Sequence, residues 1–308
     1  MTLKKFIIRF SIFVALIFAL DFTLAEVLSH FVNKWQHDNR LGKILTHNEK
    51  SNIIILGSSR SFNTVKGKEI HDITKASVYN YGYQGTDVFF HEFMLKLLLK
   101  NDCHPKMIIL PLDEHQEFFI DTFITFRLDF LYPWAKYSDI RDEINEKEGY
   151  KYYSLSRSFF YKKCDLGRKY AERNQKLYPH FDEFGPLPRE DISLTYDTLT
   201  LKPFKKYMVQ NENKKYVNKF LSIVKICQQN NIQLLLVSPP NYYITDDTFN
   251  NRILELIKPY KNAVLYVNRD TKYLDKKWFF DRFHLNTSGA VMYSKELAQF
   301  IVNQKLLK

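Results

Sequence analysis

The chain has 308 residues, of which 45% are apolar and 26% are charged. This length allows one large domain or two ordinary ones, and the apolar content excludes a disordered or low-complexity protein. Lysine and arginine outnumber aspartate and glutamate by 45 to 34, and the net charge of +11 suits an acidic partner. The three cysteines have no C-x-x-C spacing, which argues against a disulfide scaffold and a structural zinc site.

An apolar segment near the N-terminus predicts membrane targeting. Three basic residues precede an uncharged stretch from Phe10 to Leu20. Counted from Phe6 to Leu28, the apolar segment reaches the length of about 20 residues that crosses a bilayer. Because Thr23 to Ala25 makes a poor cleavage site, we expect an uncleaved anchor at residues 1–31, with a cleaved signal or an interfacial helix as alternatives. The flanking positive charge predicts that the remaining chain lies outside the cytoplasm, so nucleic acid is not the expected partner.

Short apolar runs alternate with helix-length amphipathic stretches over the rest of the chain. Continuous apolar strands of this kind are typical of a parallel sheet that helices cover on both faces. The pattern therefore predicts a doubly wound α/β domain over residues 32–308. Strands are expected at 52–56, 77–81, 106–112, 233–237 and 263–267, and helices at 88–100, 214–230, 249–260 and 288–303.

The stretch from about 118 to 208 breaks this alternation and is crowded with aromatic and charged residues. We expect a mostly helical insertion over the carboxyl edge of the sheet, where ligands of such folds bind. Its aromatic side chains can stack on sugar rings, although core packing explains most of them. The aromatics concerned are Phe118, Phe119, Phe126, Tyr132 and Trp134.

A serine-rich turn, Gly57-Ser58-Ser59-Arg60-Ser61, follows the first predicted strand directly. A tight turn from strand to helix would hold a serine hydroxyl at the carboxyl end of the sheet, where it can act as a nucleophile. The alternative is that Ser58 and Ser59 simply cap the next helix. Arg60 either steers an anionic polymer or pins the turn through a backbone contact.

A second motif, Asp281-Arg282-Phe283-His284, lies just before the last predicted helix. Its spacing lets the Asp281 carboxylate accept a hydrogen bond from one imidazole nitrogen of His284, which leaves the other nitrogen as a base for a serine hydroxyl. The alternative is a histidine packed in a loop, with Asp281 as a turn former. Taken together, the two motifs predict a catalytic Ser59, His284 and Asp281.

At these residues the chain resembles the SGNH (GDSL-like) hydrolase superfamily. Ser59 stands at the nucleophile position of the first block, Ser58 stands where an Asp is usual, and Asp281 and His284 match the last block. The resemblance covers about 50–115 and 210–305. It implies a flavodoxin-like three-layer fold and an oxyanion hole formed by the backbone N–H groups of Ser59 and Gly85.

The chain departs from the family pattern at its third block, where Asp113 replaces the usual Asn. An ionised Asp113 would repel an oxyanion, so Asp113 is turned away, is protonated, or leaves the hole to backbone donors. Asp113 and Arg60 are candidates for contacts with substrate. A metal site built from Asp113, His115, Asp281 and His284 finds no support in a H-E-x-x-H or comparable ligand set.

The combination of anchor, serine turn, insertion and terminal D-x-x-H is similar to membrane-anchored SGNH-like proteins of bacterial cell envelopes. Some of these move acyl groups onto exopolysaccharides, and one group takes part in D-alanylation of teichoic acid. The resemblance implies an O-acyltransferase or esterase that transfers an acyl (acetyl) group from an acyl donor to a cell-surface polysaccharide through an acyl-serine. It also implies a membrane-bound acyltransferase as partner, a periplasmic or cell-surface location, and no metal or cofactor. The alternative is a non-catalytic glycan-binding or scaffold protein with the same fold.

Overall fold

A computed structural model describes residues 2–34, 38–149, 181–187 and 199–307. Residues 150–180 and 188–198 of the predicted insertion at 118–208 lie outside the described residues. The chain divides into two compact units, of which the first includes 2–34, 38–42 and 128–149 and the second includes 43–127, 181–187 and 199–307. The domain bounds 1–31 and 32–308 stay predictions.

The described elements follow the alternation that the sequence predicts. The helices are α1 Leu3–Lys34, α2 Arg40–Leu45, α3 Ser59–Thr64, α4 Gly67–Thr74, α5 Val88–Lys100, α6 Ser138–Glu148, α7 Lys214–Gln229, α8 Thr248–Ile257 and α9 Thr287–Asn303. The strands are β1 Ile53–Ile55, β2 Val78–Asn80, β3 Met107–Pro111, β4 Phe181–Asp182, β5 Gly185–Pro186, β6 Gln233–Ser238 and β7 Ala263–Val267.

In the first unit, α1 contains a segment, Leu3–Leu24, that is long and apolar enough to cross a membrane. Its mean hydropathy is 2.2, and its side chains are not buried against the protein. Length and composition of this kind fit a membrane anchor and a signal sequence equally well.

The second unit is built on a five-stranded sheet with the order β2-β1-β3-β6-β7, in which every neighbouring pair is parallel. Ile53 and Ile55 belong to a core that α4 and α9 cover, whereas Ile54 points to the opposite face and is also fully buried. Helices α5 and α7 pack together, as do α7 and α8. When only the strands of this sheet are numbered, their order is 2-1-3-4-5, as in flavodoxin-like sheets. The predicted doubly wound α/β fold is therefore confirmed.

The strand order reverses at β1, because β2 lies on one side of it and β3 on the other. Ligands of such sheets bind in the crevice outside the carboxyl ends of the strands at this reversal. The serine turn follows β1, and Asp113 is separated from the end of β3 by Leu112 alone. The topology therefore brings both segments to this crevice.

Candidate active site

Ser59 is the first residue of α3 and follows a tight turn. Gly57 has φ +130°, and a side chain there would approach the Ser61 hydroxyl to 2.1 Å, so this turn requires glycine. Ser58 is the N-cap of α3, and its hydroxyl accepts a hydrogen bond from the Arg60 N–H at 3.2 Å. Capping thus occupies Ser58 and leaves the Ser59 side chain for another contact.

His284 is held by a short loop between two buried residues. Phe279 and Leu285 form an antiparallel bridge, and each is 1% exposed. The Phe280 N–H donates to the His284 carbonyl at 2.8 Å. One carboxylate oxygen of Asp281 accepts from the N–H groups of Phe283 and His284, at 2.8 and 2.9 Å. Asp281, the predicted hydrogen-bond partner of the His284 side chain, therefore also shapes the loop that carries His284.

The structure brings Ser59, His284 and Asp281 into one hydrogen-bonded chain. His284 Nδ1 lies 2.8 Å from Asp281 Oδ2, and His284 Nε2 lies 2.8 Å from Ser59 Oγ. Since an ionised carboxylate can only accept, Nδ1 carries the proton and Nε2 accepts from the serine hydroxyl. This is the arrangement in which an imidazole takes the proton of an attacking serine.

The electrostatics of Asp281 suit this role. Burial alone would raise its pKa, but the hydrogen bonds that it accepts from the His284 side chain and from two backbone N–H groups outweigh burial and lower the pKa below its ordinary value. Asp281 therefore stays ionised near neutral pH and stabilises a proton on the imidazole.

Arg60 ties the serine helix to the histidine loop. Its side chain is 3% exposed and donates to the carbonyls of Phe283 and Pro239, the latter at 2.7 Å. Phe283 directly precedes His284, so one guanidinium sets the spacing between the two halves of the serine–histidine pair. Of the two roles that the sequence leaves open for Arg60, these contacts favour the structural one.

The predicted oxyanion donors, Ser59 and Gly85, both have an available amide. Among the described residues, no hydrogen-bond acceptor is found for either backbone N–H. The loop that carries Gly85 is fastened beside the serine turn, because the Tyr83 N–H donates to the Gly57 carbonyl at 2.9 Å. By contrast, the Gly82 N–H is engaged by Asn80 Oδ1 at 2.8 Å. The role of Ser59 and Gly85 stays a prediction.

Asp113 lies beside the candidate site and is partly buried. Burial raises the pKa of its carboxyl, although the hydrogen bond from the Ser58 hydroxyl and the charges of Arg60 and His284 oppose that rise. Its backbone N–H donates to Glu117 Oε2 at 3.0 Å. Burial and the nearby Asp113 raise the pKa of Glu117 to about 8. Both acids therefore favour their protonated forms more than an exposed carboxyl does.

Several supporting residues were not anticipated from the sequence. Asn80 is fully buried and donates to the carbonyls of Ser61 and Val65, which ties the end of β2 to α3. Asn241 donates to Glu114 at 2.6 Å. The position of Asn80 at the end of a predicted strand is the only sequence feature that could have indicated its role. The sequence around Asn241 shows no such feature.

Three aromatics of the predicted insertion pack against the α/β core in place of lining a site. Phe118 is fully buried against Phe220 and Phe249, and Phe119 stacks on Tyr207. Phe126 packs on Phe90 and Phe93. The remaining two, Tyr132 and Trp134, belong to the first unit. Core packing, the role that the sequence favours for most of them, accounts for these three contacts.

No protein-family model matches the chain, and no curated protein matches it in sequence. Within the described residues, no cluster of three or more His, Cys, Asp or Glu side chains is arranged to hold a metal ion.

Proposed function

We propose that the chain is a serine-dependent acyl-ester enzyme of the SGNH type. The observation that carries this proposal is the hydrogen-bonded chain from Ser59 through His284 to Asp281 at the strand-order reversal of a parallel sheet. The glycine and serine turn after the first strand, and the D-x-x-H before the last helix, support the same class.

In the proposed reaction, Ser59 Oγ attacks the carbonyl carbon of an acyl donor while His284 Nε2 takes its proton. The N–H groups of Ser59 and Gly85 donate to the resulting oxyanion. The tetrahedral intermediate then expels the donor's leaving group, which receives the proton from His284, and an acyl-serine forms. An acceptor hydroxyl then loses its proton to His284 and attacks the acyl-serine, and the second tetrahedral intermediate expels Ser59 Oγ, which takes the proton back from His284.

The acceptor in this proposal is a hydroxyl of a cell-surface polysaccharide, with water as the acceptor in simple hydrolysis. The apolar helix α1 supports a location at a membrane, and the basic residues Lys4, Lys5 and Arg9 at its N-terminal end support an orientation with the second unit outside the cytoplasm. A membrane-bound acyltransferase that supplies the acyl group is the proposed partner.

The test is labelling of the full-length chain, in detergent micelles, with a fluorescent fluorophosphonate. We expect wild type to be labelled on Ser59, as located by peptide mass spectrometry, and Ser59→Ala and His284→Ala to lose labelling. Ser288→Ala, which removes an exposed serine on α9, is the matched control and should label like wild type. Labelling of another serine, or labelling that survives His284→Ala at the wild-type rate, would overturn the proposal.

The second candidate function is a glycan-binding or scaffold protein without catalysis. The observation that favours it is Asp113, an acid close to Ser58 and His284 where the family has an amide. If a folded wild-type chain takes up no fluorophosphonate, this function is the better supported of the two.

A further inference from the structure

Three aromatic rings form a continuous cluster next to His284. The ring centroids of Phe204 and Tyr243 lie 4.6 Å apart, and those of Tyr243 and Phe283 lie 5.4 Å apart. Phe283 immediately precedes the catalytic candidate His284 and is 38% exposed, while Phe204 and Tyr243 are half-buried. We call these three residues the aromatic platform. The three rings are inclined to one another by 45 to 72°, and Phe283, which is adjacent in the chain to the proposed base, keeps part of its ring exposed.

The aromatic platform is held by backbone hydrogen bonds between three loops. The Phe204 N–H donates to the Ile244 carbonyl, and the Ile244 N–H donates to the Lys202 carbonyl, both at 2.9 Å. The Tyr242 N–H donates to the Arg282 carbonyl at 2.8 Å. Because the loops are joined in this way, the rings are arranged before any ligand arrives, which reduces the entropy lost on binding.

Four basic residues lie in the chain segments that carry the aromatic platform. The Arg282 guanidinium lies over the Tyr243 ring, with its central carbon 5.3 Å from the ring centroid. Lys202, Lys205 and Lys206 flank Phe204 in the chain, and all three are exposed. A ligand that covers the rings would therefore meet several cations at its edge, which favours an anion.

A small hollow, with room for about one hydroxyl group, adjoins Phe204 and has polar groups suited to hydroxyls. Glu114, Asp246 and Asn250 contribute to its lining, together with Lys205. Asn250 is 9% exposed, and its side-chain oxygen has no hydrogen-bond partner among the described residues. Buried polar atoms are nearly always satisfied, so this oxygen calls for a donor such as a ligand hydroxyl.

We propose that the aromatic platform and this hollow bind the acyl acceptor, and that the acceptor is an anionic carbohydrate chain. This inference rests on the proposed function, in which the acceptor hydroxyl must reach His284 Nε2, so that the surface beside His284 is the acceptor's surface. The C–H face of a sugar ring packs on Tyr243 and Phe283. Its acidic groups meet the four basic residues, and its hydroxyls donate to Asn250 and the two acids of the hollow.

The test is calorimetric titration of the full-length chain in detergent micelles, in the Ser59→Ala background so that no reaction occurs. The probes are hexagalacturonate, which carries six uronate groups, and maltohexaose, a neutral chain of the same length. Tyr243→Ala removes a ring, and Lys205→Glu reverses a charge at the hollow. Leu254→Ala and Lys225→Glu are matched controls at exposed positions of α8 and α7.

We expect hexagalacturonate to bind about fivefold more weakly in each of Tyr243→Ala and Lys205→Glu, since one ring contact or one charge contact is worth about 1 kcal/mol. The two control variants should bind it like the parent chain, and maltohexaose should bind at least about tenfold more weakly than hexagalacturonate. No binding of hexagalacturonate, equal binding of both probes, or an equal loss in Lys225→Glu would overturn the inference.

Failure of the proposed acceptor surface can be told apart from failure of the proposed function, because labelling and titration can fail independently. Fluorophosphonate labelling of Ser59 without hexagalacturonate binding would refute the acceptor surface and leave the enzyme standing. Hexagalacturonate binding that depends on Tyr243 and Lys205, in a chain that takes up no fluorophosphonate, would refute the enzyme and leave a carbohydrate-binding surface.

Discussion

Asp281 uses one carboxylate both to orient His284 and to form the turn that carries it. In Asp281→Asn, the amide oxygen can still accept from the N–H groups of Phe283 and His284, so the loop keeps its shape. The amide NH₂ instead faces His284 Nδ1 and favours the wrong tautomer. We expect the second-order rate constant of fluorophosphonate labelling to fall by about 10³ to 10⁴. A fall of less than tenfold would show that Asp281 does not orient the base.

Arg60 is expected to act through position rather than through substrate contact. Lysine in its place keeps the charge but lacks the planar fork that reaches two separate carbonyls. We expect Arg60→Lys to lower the labelling rate constant about tenfold at 25 °C, as a small misplacement of reacting groups does.

Asp87→Ala provides the control for stability in that experiment. It removes the N-cap of α5, whose side chain accepts from the Phe90 N–H at 3.0 Å, and should cost about 1 kcal/mol. If Asp87→Ala labels normally and Arg60→Lys does not, the loss comes from geometry and not from unfolding. A wild-type rate in Arg60→Lys would contradict the assignment.

The raised pKa of the Glu117 carboxyl predicts that the free energy of unfolding depends on pH. Its pKa is about 8 in the folded chain, above the ordinary value of about 4.3, so the folded state prefers the protonated carboxyl. Stability from this group is therefore present at low pH and is lost as the pH rises through about 8.

Glu117→Gln removes that ionisation while its amide oxygen can still accept from the Asp113 N–H. We expect the variant to unfold like wild type at low pH but to be more stable at pH near 9 by up to about 5 kcal/mol, because a pKa of about 8 in place of about 4.3 corresponds to about that free energy, and to have a higher Tm there. Glu255→Gln, a change of the same charge at an exposed position on α8, is the control. Equal Tm values for Glu117→Gln and wild type at both pH values would contradict the prediction.

Single residues were predictable where the chemistry is local. Asp281 and His284 are three positions apart, and Ser59 follows a strand, so short patterns reveal both. The contacts of Arg60 reach residues 179 and 223 positions away, and nothing in the neighbouring sequence indicates them. The same holds for Glu117, because its pKa depends on which groups the folded chain removes from water.

At the scale of elements, Asn80 joins the end of β2 to the serine helix. Its side-chain amide donates to Ser61 and Val65, and its oxygen accepts from the Gly82 N–H, all inside the protein. We expect Asn80→Ala to lower the free energy of unfolding by about 2–4 kcal/mol, because it removes three buried hydrogen bonds to the backbone. Urea denaturation measures this loss. A change below about 0.5 kcal/mol, the size expected at a surface position, would contradict it.

The strands and longer helices were predictable because their apolar runs and periodicities are strong. The strand β7 matches the prediction residue for residue, and α5 does as well. The sequence predicted a helix after the serine turn without its bounds and did not predict α4, since helices of six and eight residues hold too few turns to show a periodic pattern. It is α3 that presents Ser59, so the functional turn was visible while the extent of the helix behind it was not.

At the scale of the whole molecule, the apolar segment of α1 predicts that the chain is anchored in a membrane. We expect the full-length chain to remain in the membrane fraction after alkaline carbonate extraction, with its N-terminal residues present by intact mass. Ile12→Arg with Leu16→Arg should release it, because each arginine at the centre of a span costs about 2.5–3.5 kcal/mol. Ile12→Ala with Leu16→Ala is the control and should stay in the membrane. A soluble product that begins beyond residue 24 would show a signal sequence instead.

The wide separation of Ser59 and His284 has a consequence for synthesis. The serine lies near the start of the second unit and the histidine 225 residues later, just before the last helix. A chain that emerges from its N-terminus onward carries the hydroxyl without its base for most of its synthesis. Only when β7 joins the sheet edge and α9 docks does the imidazole reach the serine. In the proposed function, the serine would therefore gain its base only as folding is completed, and a nascent or truncated chain would lack the serine–histidine pair that acylation requires.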